Sequence, residues 1–102
     1  MSLEIKRDYN EKDNRWDVIL AGEVDISNAP QLRAELKAML EEKTAPVTMD
    51  IKDLSYIDST GLGVIIGAYG RMKEQGVPMK MVNPAKNVEK LLKITSLDRI
   101  FL

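Results

Sequence analysis

A chain of 102 residues suffices for one compact domain and is too short for two. Hydrophobic residues make up 44% and charged residues 30%, the balance of a globular chain rather than a disordered one. Cysteine and histidine are both absent, which excludes thiolate nucleophiles, disulfides, Ser-His triads and the usual zinc sites, so that any metal site would be built from carboxylates.

The formal charge is −1, so no strong field draws the chain to nucleic acid or to an anionic membrane. The charge is nevertheless uneven. Met1 to Asp53 holds eight Lys/Arg and twelve Asp/Glu, whereas Leu54 to Leu102 holds seven and four, an asymmetry that fits a protein partner or a plain solvated surface. No apolar run approaches the roughly 20 residues of a membrane span, and the N-terminus lacks the basic-then-apolar order of a signal peptide. The expectation is a soluble, cytoplasmic protein without a cofactor.

Leu3 to Tyr9 alternates, with Leu3, Ile5 and Arg7 on one side and Glu4, Lys6 and Asp8 on the other, as in a strand with one wet face. Asn10 to Asn14 reads as a turn, and Trp16 to Ala21 as a second strand that closes a hairpin and stops at Gly22. Asp25 to Pro30 is the entry to a helix, capped by Ser27 or Asn28, with Pro30 in its first turn. Leu32, Leu36, Met39 and Leu40 form its apolar stripe, and Glu42 to Pro46 closes it.

Val47, Met49 and Ile51 alternate with Thr48 and Asp50 in a third strand, followed by a short apolar-then-polar passage from Leu54 to Asp58. From Ser59 the spacing of Leu62, Ile65, Ile66, Tyr69 and Met72 predicts a helix ending near Gly76. Val77 to Val82 is a fourth strand, Asn83-Pro84 opens a helix with the stripe Val88, Leu91 and Leu92, and Leu97 to Leu102 packs as a last turn. The order ββαβαβα(α) predicts an α/β fold: a small mixed sheet of about four strands with helices packed on it. The third and fourth strands should run parallel through the helix between them.

The unusual segment is Asp58-Ser59-Thr60-Gly61-Leu62-Gly63, which lies where an open α/β sheet favours a functional loop. Ser59 or Asp58 is placed to cap the helix. Gly61, Gly63, Gly67 and Gly70 then fall inside that helix, where each costs roughly 0.5–1 kcal/mol relative to alanine. Close packing on the sheet accounts for some of them and the approach of another protein for others; the sequence does not apportion them. Gly61 to Gly67 is one residue off a dinucleotide fingerprint, but no acidic residue ends the next strand and no Gly-Lys-Ser/Thr occurs. Asp25 and Asp58 are in a position to converge on Ser59, yet a serine without a histidine or lysine base is a weak nucleophile. As an active site the set is therefore poor, and an ordinary helix cap stays open.

Two stretches carry a family likeness. Gly22-Glu23-Val24-Asp25 through Ala29-Pro30-Gln31-Leu32, together with Asp53 through Asp58-Ser59-Thr60-Gly61-Leu62-Gly63, closely resemble the bacterial anti-sigma factor antagonists, the stand-alone STAS domains. The likeness runs end to end, as a single domain over 1–102, and includes Val82-Asn83-Pro84. It implies a non-catalytic partner-switching protein. The unphosphorylated form binds an anti-sigma factor that is also an ATP-using serine kinase and so frees a sigma factor. Phosphorylation breaks the complex, and a metal-dependent phosphatase of the PP2C type reverses the mark. By match the phosphoacceptor is Ser59, with Asp58 beside it and Asp25 in the neighbouring loop. Thr60, Gly61, Leu62 and Gly63 complete the expected partner-binding set, and Ile57 or Leu62 is the expected apolar anchor. Ser27-Asn28 stands where many members carry a threonine. Some STAS domains instead serve as constitutive subunits of transport or stress-signalling complexes, which is the alternative function; whether the isolated chain forms a weak homodimer is open.

Overall fold

A computed structural model describes residues 2–102. The chain forms β1 (Leu3–Asn10), β2 (Arg15–Val24), α1 (Ala29–Glu42), β3 (Val47–Asp50), β4 (Leu54–Ile57), α2 (Ser59–Glu74), β5 (Met79–Val82), α3 (Lys86–Ile94) and α4 (Asp98–Phe101). The sheet runs β1-β2-β3-β5, with β4 also on β2. β1 and β2 pair antiparallel as the expected hairpin, and every other pairing is parallel. The fold class stands, with one strand more than the sequence suggested.

That fifth strand is β4. Its buried residues are Leu54 and Ile57, with Ser55 and Tyr56 exposed between them, so the two-residue period that betrays a half-buried strand is missing. β3 and β4 lie one after the other along β2, which is long enough to hold both: Trp16–Ile19 pairs with β3 and Gly22–Val24 with β4. Between them the chain turns at 51–53, where Leu54 N donates to Ile51 O at 3.2 Å.

Gly22 does not stop β2 but bends it. The register on β4 shifts there, and Gly22 has φ +98, a left-handed value that L side chains avoid. A Cβ at this position would also stand 2.3 Å from the Ser2 carbonyl oxygen. The kink lets the last three residues of β2 follow β4 out to the loop that carries Asp25.

One face of the sheet is apolar. Trp16, Val18 and Leu20 on β2 line up with Val47 and Met49 on β3 and with Met79 and Met81 on β5, all buried. Leu32, Leu36 and Met39 of α1 and Leu62, Ile65 and Met72 of α2 belong to the same core. Burial of each large apolar side chain contributes about 1.5–3 kcal/mol, the main force holding a chain with no covalent staples. The α2 stripe also includes Val64 and Ala68, whereas Ile66, expected inside, is 41% exposed. α2 stops two residues short of Gly76, whose φ of +75 turns the chain toward β5. After Asn83 in the left-handed region, α3 starts at Lys86 and buries Val88 and Leu92. Phe101 in α4 is buried against Tyr69, ring centroids 5.5 Å apart, so the last turn packs as expected. Among the described residues, no helix is long and apolar enough to cross a membrane.

Candidate functional site

The site is built where β2 and β4 end side by side. Val24 pairs with Ile57, so Asp25 and Asp58, the next residue of each chain segment, leave adjacent parallel strands together. Asp58 N donates to Val24 O at 3.1 Å and ties the two loops.

Asp58 is the N-cap of α2. Its backbone is extended, and its Oδ1 accepts from Gly61 N at 2.9 Å, which satisfies one of the amides left free at a helix start. The choice between Asp58 and Ser59 is thereby decided: Asp58 caps. Ser59, the first helical residue, is exposed, and so is Thr60.

Asp25 organises the neighbouring loop. Its Oδ1 accepts from Ser27 N at 2.8 Å and from the Ser27 hydroxyl. The Ser27 hydroxyl above all holds the Asp25 carboxyl below its ordinary value; desolvation opposes it, and the backbone N–H groups of Ser27 and Asn28 each add a smaller lowering. Neither expected cap of α1 forms a side-chain cap bond. Asn28, only 8% exposed, instead bridges the loop: its Oδ1 accepts from Asp25 N and its Nδ2 donates to Glu23 O, both at 2.9 Å. The backbone carbonyl of Asp25 accepts from Asn28 N and Ala29 N and closes the turn into α1.

The glycines divide sharply. A Cβ at Gly61 would lie 2.6 Å from Val24 Cγ1 and 2.8 Å from Ile57 Cγ1, so glycine is required for α2 to rest on the strand ends. At Gly63 and Gly70 an added Cβ would meet nothing within 4 Å, and at Gly67 only an Arg71 nitrogen at 3.7 Å. Internal packing explains Gly61 alone.

Of the residues singled out in sequence, Asp25, Asp58, Ser59, Thr60 and Gly63 reach the surface together, while Gly61 and Leu62 are buried beneath them. Ile57 and Leu62, 4% and 6% exposed, are core residues and not projecting anchors. Leu62 still lines a groove of about 480 Å³ that runs from Ser59 to α3, flanked by Tyr56, Val88 and Leu91. On the other side of the helix start, Ile26 is 75% exposed beside Thr60. Sequence reasoning missed Ile26 and Tyr56 as surface features. The one available signal was an isoleucine set between Asp25 and Ser27, in a polar turn.

No group of three or more Asp or Glu side chains is arranged to hold a metal ion among the described residues. Two carboxylates beside an exposed hydroxyl at a helix N-terminus can present that hydroxyl to a partner and respond to charge placed on it. They supply no base to turn it into a nucleophile.

Residues 7–102 match the family model of the STAS domain. The chain is 39% identical to the anti-sigma-B factor antagonist of Bacillus subtilis, over 96% of this chain and 89% of that protein. It is 31% identical to the anti-sigma-B factor antagonist of Listeria monocytogenes, over 98% and 85%. Among solved structures it resembles the Bacillus anti-sigma factor antagonist SpoIIAA, 19% identical, in its unphosphorylated form (TM-score 0.81, covering 99% of this chain and 86% of that one) and its phosphorylated form (TM-score 0.73, 99% and 89%). The chain belongs to the STAS family and, within it, to the anti-sigma factor antagonists, which are non-catalytic regulators.

Proposed function

We propose that this chain, as a single cytoplasmic STAS domain, binds an anti-sigma factor that is also a serine kinase, and that phosphorylation of Ser59 ends the complex. A PP2C-type phosphatase restores the binding form. The observation that carries this reading is the division of labour at the start of α2: Asp58 makes the cap, and the hydroxyl of Ser59 is left exposed beside it. The relatives named as anti-sigma-B factor antagonists, and the existence of SpoIIAA in phosphorylated and unphosphorylated forms, support it.

The switch follows from charge. A phosphoserine adds roughly −1.5 to −2 charges and three acceptor oxygens. At the first position of α2 the free amides and the helix dipole accommodate that anion, so the fold survives. In a closed interface the same anion loses water next to the carboxylates of Asp25 and Asp58. A penalty of about 3 to 4 kcal/mol there weakens binding several-hundredfold.

The test is phosphotransfer with a cognate kinase and ATP, followed by site mapping. One phosphate is expected, on Ser59, and Ser59→Ala abolishes it. Ser59→Asp should bind the kinase at least tenfold more weakly with an unchanged circular dichroism spectrum. Modification at Thr60 or elsewhere, or full affinity in Ser59→Asp, refutes the reading.

A further inference from the structure

Apart from the groove beside α3, two hollows follow the seam between α1 and α2. One, of about 330 Å³, lies toward the C-terminal ends of the helices over Leu40 and Met72. The other, of about 490 Å³, lies at their N-terminal ends beside Ile26. Lys37 lines both, so the two hollows adjoin along α2, whose 16 residues span roughly 24 Å.

The walls are basic. Arg33, Lys37 and Arg71 are exposed along it, and none of the three is in an ion pair among the described residues. Glu41 near the lower end is the one acid lining either hollow. Three unneutralised cations over an apolar floor, on a chain of net charge −1, set this groove apart in sign from the carboxylates around Ser59. Gly63 and Gly67 follow Thr60 by one and two turns on the same side of α2, and an added Cβ would meet nothing at Gly63 and only an Arg71 nitrogen, at 3.7 Å, at Gly67.

A groove between two packed helices is shaped for a third helix, whose side chains settle between the ridges of the other two. We propose that the α1–α2 seam docks an acidic amphipathic helix of a protein partner, with Arg33, Lys37 and Arg71 meeting its carboxylates and Ile26 and Leu40 its apolar stripe. Thr60 at the upper end adjoins Ser59, so the occupant reaches the proposed phosphoacceptor. The groove goes beyond the phosphorylation reading, because α1 and α2 define it whether or not Ser59 is modified.

The probe is a synthetic helix of Glu, Ala and Leu of about 16 residues, matched to the length of α2, with a Lys-for-Glu counterpart as control. In titrations of the isotope-labelled full chain followed by NMR, the acidic helix should shift the amides of Ile26, Arg33, Lys37 and Arg71, and the basic one should not bind. Affinity should fall at least tenfold in the combined Arg33→Glu, Lys37→Glu, Arg71→Glu variant, and also in the combined glutamine variant, which guards against misfolding by charge reversal. The unmodified wild-type chain should bind the acidic helix even if phosphotransfer to Ser59 fails, so the two readings can fail separately. Equal binding of both helices, shifts confined to the Tyr56–Leu91 groove, unchanged affinity in the glutamine variant, or binding only to phosphatidylglycerol vesicles would each overturn the proposal.

Discussion

The amide of Asp58 donates to the carbonyl of Val24 at 3.1 Å, and through that bond the loop bearing Ser59 is fixed to the loop bearing Asp25. Both loops are anchored in paired strands and each closes on its own backbone through a carboxylate. The hydroxyl is therefore displayed on a corner that both strands hold in place.

Capping and modification should separate by mutation. Asp58→Ala removes the acceptor for Gly61 N and is expected to cost about 0.5–2 kcal/mol, while Ser59→Ala, which removes no cap, should lie within about 0.5 kcal/mol of wild type. Urea titrations of the two variants measure this. Equal losses would mean that Ser59 shares the capping role.

Two glycines in one helix should respond in opposite directions. Gly61→Ala forces a methyl group into Val24 and Ile57 and should destabilise by about 1–3 kcal/mol. Gly63→Ala has open space and should stabilise by about 0.5–1 kcal/mol through the helix propensity it restores. For a chain of this size, each kcal/mol shifts the melting temperature by about 4–8 °C. Thermal melts of both variants decide the point.

Asn28 should be the polar residue on which the site's shape most depends. Asn28→Ala leaves Asp25 N and Glu23 O without their partners in a mostly buried position, an expected loss of about 1–3 kcal/mol. Asn28→Asp keeps an acceptor for Asp25 N but sets a carboxylate oxygen against the Glu23 carbonyl. It should also lose stability at neutral pH and recover part of it in acid as the carboxyl protonates. Denaturation at about pH 7 and pH 4 tests both.

Acid should weaken the Asp25 turn. Its carboxyl is held below the ordinary value by the Ser27 hydroxyl first, so the folded state binds the proton less readily than the unfolded state. Its contribution is complete above the unfolded value of about 3.8 and is lost as pH falls through the folded one. The stability gap between wild type and Asp25→Asn should therefore narrow from about pH 5 to pH 2, as read from melting temperatures across that range. A constant gap would show that the carboxylate is not favoured in the folded chain.

Much of this was legible from residue order. Alternation in Leu3–Tyr9 and Val47–Ile51 and the helical stripes through Leu36 and Ile65 reported elements whose faces are half wet, because a regular period survives only where one side is buried and the other is not. The Asp58–Gly63 segment marked the candidate site by its chemistry and its likeness to a family. β4 is not legible in the sequence because Ser55 and Tyr56 break the alternation, and Gly22 reads there as a strand end because only its pairing partners reveal a bend.

What the chain order alone determined is the class of fold, the family and the segment that carries the hydroxyl. Which side chain caps α2, which glycine is packed and which are open, that Asn28 bridges rather than caps, and that Ile57 and Leu62 lie inside were decided only by tertiary structure. The physical reason is clearest at Gly61, which is packed against Val24 and Ile57, residues 33 apart in sequence: local preference does not encode the distance between two strands that meet only in the folded sheet.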